Sequence, residues 1–413
     1  MEEYEIVVIG GGASGLMAAY QAAKRGKRVL LIERNEKLGK KIYITGKGRC
    51  NFTNDCSPDE FLTNVVSNPK FLMGAIRAFP PERTLRFFEE AGMHYKIERG
   101  NRAFPISDHA SDVTKVLEKA CRSVGVQIHL NERVLSVRKQ DTMSDVANSM
   151  FDIVTSTGRY FAYSVIIATG GVSYPTTGST GDGYSFASSL GHSIVPTVPA
   201  LVGIRLKNPL TSLSGLSLKN VALSVKDGEK VLHREFGEML FTHSGISGPI
   251  VLTISSLINR KQLSSLSLSL DLKPALSFEQ LEQRILRDFD AEKNKSVGNV
   301  FCGLLPKNLV PFVLAQAGVS PQKTVNSVTK EERKGLLFAL KCFIMKPTSL
   351  LPVEEAIVTA GGVSVKEVNP KTMESKRCPH LYFCGEVLDL DAWTGGFNLQ
   401  IAFATGYAAG NAV

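Results

Sequence analysis

The segment Gly46–Asn54, "GKGRCNFTN", combines side chains that can bind an anion and transfer a proton. The Arg49 guanidinium can form paired hydrogen bonds to a phosphate, and the Cys50 thiol can serve as a general acid. Asn51 and Asn54 add amide donors and acceptors, and the glycines between them allow backbone to approach a ligand closely. The segment therefore predicts contact with a flat or charged ligand, whose nature depends on the elements around it.

The N-terminal stretch has the order of a dinucleotide-binding unit. It contains, in sequence, an apolar strand at 6–9, the glycines Gly10, Gly12 and Gly15, an alanine-rich helix, a second strand at 29–32, and Glu33. Gly10 permits the tight turn, Gly12 lets backbone approach a pyrophosphate at the helix N-terminus, and Gly15 allows close packing of helix on strand. Glu33 is placed to accept hydrogen bonds from ribose hydroxyls. The unit predicts binding of an adenine dinucleotide.

Two later strands end in glycine and polar residues. "SVIIATGG" ends in Thr169 and Gly170, and "HLYFCGEVLD" ends in Gly385 and Glu386. FAD domains of the two-dinucleotide-binding type end strands this way, and the last acidic residue then reaches the ribityl chain. These strand ends favour FAD as the dinucleotide.

The closing segment "TGGFNLQIAFATGYAAG" begins with glycines and continues as an apolar helix. Backbone amides around Asn398 and Leu399 would face the pyrimidine edge of the flavin and stabilise negative charge there. The loop "GSTGDG" at 178–183 is expected to close over the FAD. No second complete nucleotide-binding unit occurs, so NAD(P)H is expected to act as a transient reductant at the flavin face.

Composition sets the class of protein. The chain has 413 residues, 43% hydrophobic residues and 36 glycines, which suits an α/β protein of two or three domains. Seven cysteines at irregular spacing argue against a disulfide framework, and no C-x-x-C pair suggests a metal site. No apolar run spans a membrane and no basic leader precedes the first strand, so we expect a cytoplasmic protein without a membrane partner.

The net charge is +9. This excess of Lys and Arg favours contact with RNA, anionic lipid or phosphorylated ligands, although basic enzymes without nucleic-acid partners are common.

The middle of the chain changes pattern twice. From about 199 to 272 it alternates as in strands, and from about 277 to 351 it has a helical period. We predict an α/β fold in which an FAD-binding Rossmann-like domain (1–195 and 352–413) is interrupted by an antiparallel β-rich substrate-side domain (196–275) and a helical subdomain (276–351).

Seven motifs together resemble those of the HI0933-like (BaiN/YhiN) family of bacterial flavoproteins. They are "GGGASG", "GKGRCNFTN", "GNRAFPISDHASDV", "ATGGVSYPTTGSTGDGY", "GEMLFTHSGISGP", "EAIVTAGGV" and "CGEVLDLDAWTGGFNLQIAFATG". The resemblance covers nearly the whole chain. It implies an FAD domain interrupted by an insert, and one of three activities: reduction of a C=C bond in steroid-like acids, oxidation of amino ketones, or reduction of uridine to dihydrouridine in large-subunit ribosomal RNA.

The predicted cofactor-binding residues come from both ends of the chain. Arg34, Lys40 and Arg49 are expected to meet phosphate charge. The full set is Gly10, Gly12, Ala13, Ser14, Gly15, Glu33, Arg34, Lys40, Gly48, Arg49, Cys50, Asn51, Val134, Thr169, Gly170, Gly385, Glu386, Asn398 and Leu399.

Cys50 and His243 are the candidate catalytic residues. Cys50 either protonates one carbon while the flavin delivers hydride to its neighbour, or packs under the ring without reacting. A redox disulfide with Cys56 is not expected, because the spacing differs from that of dithiol flavin reductases. His243, in "LFTHSGISGP", either donates to a conjugated carbonyl or satisfies local backbone groups.

Three functions remain open. We favour an FAD-dependent, NAD(P)H-linked reductase of an activated C=C bond whose substrate is a uridine of large-subunit ribosomal RNA, held by Lys and Arg. The alternatives are a reductase or oxidase of a small metabolite and a non-catalytic flavin redox sensor. The sequence does not indicate the oligomeric state.

Overall fold

The computed structural model describes residues 2–140 and 150–413, and these form two compact units. One unit combines the described residues of 1–200 with 352–413, and the other contains 201–351. In the described residues no helix is both long and apolar enough to cross a bilayer.

The first segment of the chain, up to residue 200, contributes the larger part of the first unit. Its strands are β1 (Glu2–Ile9), β2 (Val29–Ile32), β3 (Thr53–Asn54), β4 (Tyr95–Glu98), β5 (Arg102–Pro105), β6 (Gln127–His129), β7 (Val134–Lys139), β8 (Phe151–Thr155), β9 (Arg159–Ile167) and β10 (Ile194–Ala200). Its helices are α1 (Ala13–Lys24), α2 (Lys40–Ile44), α3 (Pro58–Thr63), α4 (Pro69–Ala78), α5 (Pro81–Glu90), α6 (Ala110–Ser123) and α7 (Asp182–Ser189).

The second unit and the last segment contain the remaining elements. The second unit has β11 (Ile204–Leu206), β12 (Ser217–Asp227), β13 (Lys230–Phe241), β14 (Gly245–Ser247), α8 (Pro249–Ile258), β15 (Leu266–Asp271), α9 (Phe278–Ala291), α10 (Val297–Phe301), α11 (Val310–Ala317), α12 (Lys330–Lys341), β16 (Phe343–Met345) and β17 (Pro347–Leu350). The last segment has β18 (Val358–Val363), β19 (Leu381–Phe383) and α13 (Phe397–Ala412).

The central sheet of the first unit has the strand order β6-β2-β1-β9-β8-β7 in the described residues. β1, β2, β6 and β9 run parallel, and β19 lies parallel to the carboxyl half of β9, beside Val165–Ile167. Because helices cover this parallel part, the runs Ile6–Ile9, Val29–Ile32 and Val165–Ile167 are apolar and buried, whereas the edge strand β6 is partly exposed. The Rossmann-type arrangement predicted from the glycine pattern is confirmed.

Small residues bring α1 and α13 together. A side chain at Gly406 would collide with the Ser14 carbonyl oxygen, and one at Gly410 would collide with that of Ala18, so the helices run parallel in close contact. Ser14 lies opposite Gly406; nine residues of α13 precede Gly406 and one residue of α1 precedes Ser14, so α13 begins ~12 Å beyond the start of α1 at the helical rise per residue. Two helix N-termini are thereby staggered on one side of the unit.

The second unit is a sheet that curls back on itself, with five helices against it. In residues 201–351, all of which the structure describes, the strand order is β16-β15-β12-β13-β14-β11-β17. Lys346 alone separates the two edge strands, β16 and β17, so the edges meet at that residue. Apolar residues of the sheet and of α8, α9, α10, α11 and α12 share one core. The antiparallel pairing predicted for 196–275 is confirmed, and β16 and β17, which lie in the segment predicted to be helical, belong to the same sheet.

Candidate functional site

The turn from β1 into α1 has the geometry of a phosphate cradle. Gly10 has a φ of +107°, and a Cβ there would lie 2.5 Å from the Ala168 carbonyl oxygen. A Cβ at Gly15 would collide with the Gly10 carbonyl oxygen. Gly12 is different, because its φ is −82° and a Cβ would meet no heavy atom of the described chain within 4 Å. The fold therefore requires Gly10 and Gly15, whereas Gly12 keeps open the space before the free amides at the start of α1.

Glu33 joins this turn to the end of β2. Its carboxylate accepts hydrogen bonds from the Gly11 amide at 2.7 Å and from the backbone and side-chain nitrogens of Asn35 at 2.8 and 2.6 Å. An ionised carboxylate offers about four lone-pair positions, so three donors leave room for one more. A ribose hydroxyl would be a suitable fourth donor.

Arg34 faces the 178–183 loop. Its guanidinium donates to Thr180 Oγ1 at 2.6 Å and lies 3.5 Å from Asp182. Asp182 also accepts two hydrogen bonds from Arg133, at 2.9 and 3.0 Å. Although burial opposes ionisation, the hydrogen bonds from Arg133 and Thr180 and both guanidinium charges lower the pKa of Asp182 below its ordinary value. These contacts hold the 178–183 loop against the end of β2.

Lys41, rather than its neighbour Lys40, reaches the last acidic residue of the site. Lys41 Nζ lies 2.6 Å from both Glu386 Oε2 and Ser173 Oγ. The other oxygen of Glu386 accepts from the Thr359 amide at 2.8 Å and from Ser173 Oγ at 3.0 Å. Lys40 instead forms a surface ion pair with Glu36 at 3.1 Å. Glu386 is thus held by groups from three separate parts of the first unit.

Three buried polar atoms near these residues have no hydrogen-bond partner in the described part of the chain. They are Thr169 Oγ1, at the end of β9, the Tyr184 hydroxyl and Asn51 Oδ1. Burial raises the pKa of Tyr184, as do the charges of Glu386 and Asp389, so this phenol stays protonated. Leaving a polar group buried without a partner costs free energy, and atoms of this kind mark places where a ligand completes the structure.

The 46–54 loop has an unusual backbone. Gly46, Lys47, Gly48 and Cys50 all have positive φ, between 58° and 85°, a region that non-glycine residues rarely adopt. Cys50 is completely buried within the core of the first unit, and its amide donates to the Thr45 carbonyl at 3.0 Å. Burial raises the pKa of the Cys50 thiol. The thiol is therefore neutral and a weak acid in the protein.

Arg49 contacts acidic side chains of the protein itself. It donates to Asp108 at 2.8 Å, forms an ion pair with Glu98 and stacks over Phe104 at 4.3 Å. Hydrogen bonds to these carboxylates raise the pKa of the Arg49 guanidinium. The hydrogen bond from Arg49 lowers the pKa of Glu98, and those from Lys96 and Arg49 lower the pKa of Asp108. The positive charge of Arg49 is already balanced by two carboxylates, so little of it remains to attract a phosphate.

The rest of the loop forms the floor beneath the start of α13. The Asn54 side chain donates to the carbonyl oxygens of Gly100 and Gly395 at 2.9 and 3.0 Å. A Cβ at Gly396 would lie 2.9 Å from Asn51 Oδ1. The Asn398 side chain closes a turn by bonding both the amide and the carbonyl of Ala392, at 3.0 and 2.8 Å. The amides of the first turn of α13, including that of Leu399, lie above this floor. They have no partner within the helix, because a helix cannot satisfy its own first N–H groups.

The remaining predicted positions lie at strand ends of the first unit. Gly170 and Gly385 both have positive φ, and a Cβ at Gly385 would lie 2.8 Å from that of Ser14. Ala13 is buried in the first turn of α1. Val134 is buried at the start of β7, two residues after Glu132, whose amide donates to the Glu33 carbonyl at 3.0 Å.

His243 belongs to the second unit. It is exposed, with Ser244, in the tight turn between β13 and β14, where the Thr242 amide donates to the Gly245 carbonyl at 2.9 Å. Gly248, which directly follows β14, has a φ of +98°. The His243 imidazole therefore lies at the surface of this turn.

These features fit FAD. Gly10, Gly12 and the start of α1 would hold the pyrophosphate, and Glu33 would hold a ribose. Glu386, fixed by Lys41 and Ser173, would take the ribityl chain. Because α13 begins ~12 Å beyond α1, its free amides are placed for the far end of an extended dinucleotide. The unpartnered atoms of Asn51 and Thr169 are consistent with a ligand between the N-termini of these helices.

Sequence reasoning missed four residues that the structure brings into this site: Lys41, Ser173, Thr359 and Tyr184. Two adjacent lysines gave no signal to distinguish Lys41 from Lys40. The unpartnered hydroxyl of Tyr184 and the contacts of Thr359 depend on folding, and only their location inside quoted motifs could have suggested them.

Comparison with known proteins identifies the family. The model of the HI0933-like protein Rossmann domain matches residues 4–412. A 3-dehydro-bile acid delta(4,6)-reductase of Clostridium scindens is 33% identical over 412 residues, covering 98% of each chain. A ribosomal RNA dihydrouridine synthase of Escherichia coli is 32% identical over 415 residues, covering 99% of this chain and 97% of the relative. The synthase of the same name from Haemophilus influenzae is 32% identical over 413 residues, covering 99% and 98%.

Among solved structures, the 3-ketosteroid-Δ4-(5α)-dehydrogenase of Rhodococcus jostii RHA1 has the same fold. The TM-score is 0.53 at 15% identity, with 100% of this chain and 96% of that chain covered. Together with the family match, this fold confirms the predicted class of enzyme. The chain belongs to the HI0933-like family and is an FAD-dependent oxidoreductase.

Proposed function

We propose that this enzyme reduces a uridine of large-subunit ribosomal RNA to dihydrouridine, with NAD(P)H as the reductant. The observation that carries the proposal is the distribution of charge between the two units. Residues 201–351 contain 20 Lys and Arg against 12 Asp and Glu, a net +8, whereas the rest of the chain contains 28 against 27. Nearly all of the excess charge therefore belongs to the inserted unit.

Such an asymmetry suits a polyanionic substrate. Binding to a nucleic-acid backbone gains affinity from the counterions that Lys and Arg displace, and a small uncharged substrate offers no such gain. Two relatives of about one-third identity, aligned along almost their full length, carry the name ribosomal RNA dihydrouridine synthase. The charge distribution and the names of these two relatives favour the same substrate. An RNA substrate of this kind would place the enzyme in the cytoplasm.

The reaction adds one hydride and one proton across the C5=C6 bond of uracil. FAD, when bound, supplies the hydride. Because the double bond is conjugated to the C4 carbonyl, addition at C6 moves negative charge toward O4, and C5 then takes a proton. The chain must therefore hold the uracil, stabilise the developing charge and provide the proton.

The first unit is proposed to orient the cofactor. Glu33 and the start of α1 would hold its ribose and pyrophosphate, and the Lys41–Glu386 pair would fix the ribityl end. The free amides at the start of α13 would stabilise negative charge on the pyrimidine edge of the reduced ring. NAD(P)H would approach the same ring transiently.

Of the two candidate proton donors, we assign the role to His243. Complete burial and a raised pKa favour a packing role for Cys50. His243 is exposed in the β13–β14 turn, and imidazole is the side chain used most often for general acid catalysis. The two assignments can be separated by mutation.

A small-molecule substrate is the second candidate. The bile acid reductase of Clostridium scindens is as similar to this chain as the two ribosomal RNA enzymes are, with 33% identity. An enzyme of that kind needs an enclosed apolar pocket and does not use the positive charge of the insert, so the charge distribution favours RNA.

Mass spectrometry of ribosomal RNA tests the proposal in the cell. RNA from a strain that lacks the gene should have lost one dihydrouridine of the large subunit, and the intact gene should restore it. A gene with His243→Asn should not restore it. Unchanged ribosomal RNA in the deletion strain would reject the proposal in favour of a small-molecule substrate.

A further inference from the structure

One corner of the second unit concentrates cations around the turn that carries His243. The strands concerned are β14, β11 and β17, which are adjacent in the sheet. Arg205 and Lys207 lie in and just after β11, and Lys346 lies just before β17. We call these three residues the basic edge.

Backbone pairing holds the basic edge together. Arg205 is paired with Gly245 in β14 and with Ser349 in β17. The Lys207 amide donates to the Lys346 carbonyl at 2.9 Å, so these two lysines are direct neighbours across the sheet. Arg205 and Lys207 are exposed while Ile204 and Leu206 are buried, as expected for alternate residues that share one face.

The same pairing brings the His243 turn alongside. The Leu206 amide donates to the Ser244 carbonyl at 3.1 Å, which places the residue after His243 against the middle of the basic edge. His243, Ser244 and all three cations are exposed. The imidazole and the cations therefore belong to one continuous surface of the second unit.

The charge of the basic edge is not neutralised by the protein. No side chain of Arg205, Lys207 or Lys346 forms an ion pair or hydrogen bond in the part of the chain that the structure describes. Residues 201–226, 239–270 and 333–351, which surround the edge in sequence, contain no Asp or Glu. Some other cations of the same unit are paired, such as Lys323 with Glu332 at 2.6 Å and Lys341 with Asp271 at 2.8 Å.

Clustered cations without carboxylates repel one another, and a row of phosphates relieves that repulsion. Resting on the proposed function, we infer that the basic edge binds the phosphodiester backbone of the substrate RNA. It would hold the strand beside His243 without reading its sequence, because phosphate contacts position a nucleic acid and base contacts specify it.

The inference is tested with two triple variants of the full-length, FAD-loaded protein. Arg205→Gln, Lys207→Gln and Lys346→Gln together remove the basic edge. Lys230→Gln, Lys307→Gln and Lys330→Gln remove the same charge from exposed residues elsewhere in the same unit. FAD content and thermal unfolding should match the unaltered protein in both variants, because the residues assigned to FAD lie in the first unit.

The measurement is the dissociation constant for an unmodified transcript of large-subunit ribosomal RNA at several salt concentrations. Each phosphate contact to a single strand contributes about 0.7 to the slope of log affinity against log salt, so loss of three contacts should reduce the slope by about 2. We expect this reduction in the basic-edge variant and a slope within about 0.5 of the original in the control variant.

The other results overturn the inference in distinguishable ways. Equal losses in both variants would show that charge acts diffusely, and no loss in the basic-edge variant would show that the RNA binds elsewhere; both leave the proposed function intact. If the unaltered protein neither binds nor modifies the transcript, the proposed function fails and the inference fails with it. Binding to phosphatidylserine vesicles instead, lost in the basic-edge variant, would assign the edge to a membrane surface.

Discussion

Lys41 Nζ lies 2.6 Å from Glu386 Oε2, although 345 positions separate the two residues in the chain. The ion pair joins α2, close to the 46–54 loop, to the segment that follows β19. Both side chains are largely buried, with 26% and 20% of their surface exposed, and Ser173 bonds to both. Lys41 is thus a positioning residue for the carboxylate that we assign to the ribityl chain of FAD.

Lys41→Met should weaken FAD binding by ~10-fold, equivalent to about 1.4 kcal/mol, because Glu386 loses its charged partner. Lys40→Met is the matched control, since the exposed Lys40–Glu36 pair contributes little. Flavin fluorescence during titration of FAD-depleted protein measures both constants. Equal affinities in the two variants would remove Lys41 from the site.

Substitutions at two glycines of the β1–α1 turn distinguish an effect on folding from an effect on cofactor binding. Gly12→Ala adds a Cβ where the described chain has no atom within 4 Å, so thermal unfolding without FAD should be unchanged. The methyl group occupies the space assigned to the pyrophosphate, and FAD affinity should fall by at least ~10-fold. Gly15→Ala should instead lower the unfolding temperature, because its Cβ collides with the Gly10 carbonyl. Undiminished FAD affinity in Gly12→Ala would place the pyrophosphate elsewhere.

The local parts of the fold could be predicted from sequence, and the pairings between distant residues could not. Gly10, Gly15 and Glu33 belong to one short β1–α1–β2 unit, in which spacing determines geometry. Arg49, by contrast, was expected to meet phosphate, and the structure surrounds it with Glu98 and Asp108. Nothing in the 46–54 segment indicates that these two carboxylates fold against it.

Burial of Cys50 was one of the two alternatives predicted from the sequence, and the structure agrees with the packed one. The positive φ of Cys50, an uncommon conformation for cysteine, could not be predicted from the segment. The charge of the insert could be counted from the sequence. Its concentration at Arg205, Lys207 and Lys346 depends on strand order.

The stability of the folded enzyme should depend on pH through Asp182. Its pKa is below the ordinary value of 3.8 in the folded protein, so the ionised form stabilises the fold. This stabilisation is complete above pH 3.8 and is lost as the pH falls through the folded pKa. At pH 7, Asp182→Asn should cost about 1–3 kcal/mol, the usual worth of charged hydrogen bonds.

Thermal unfolding of the protein and of Asp182→Asn between pH 7 and pH 2.5 tests this expectation. The difference in unfolding temperature should shrink as the pH falls below 3.8. A difference that stays constant to the lowest pH would mean that the carboxylate charge is not what holds the 178–183 loop.

Cys50→Ala and His243→Asn distinguish the two proton donors. We expect Cys50→Ala to retain turnover within about 3-fold and His243→Asn to lose ~10²-fold, the usual contribution of a general acid. Both should keep a normal rate of FAD reduction by NAD(P)H, since that half-reaction needs no proton for the substrate. Loss of turnover in Cys50→Ala, with FAD reduction intact, would transfer the role to the thiol.

The central claim is that the reduced enzyme transfers hydride to a uridine in RNA, and a single-turnover experiment tests it most directly. The FAD-loaded protein is reduced without oxygen and mixed with an unmodified large-subunit ribosomal RNA transcript, or separately with a steroid enone acid. We predict that the transcript reoxidises the flavin and gains two hydrogens at one uridine, detected by mass spectrometry of its fragments, while the enone reacts more slowly. Rapid reoxidation by the enone with no change in the RNA would contradict the claim.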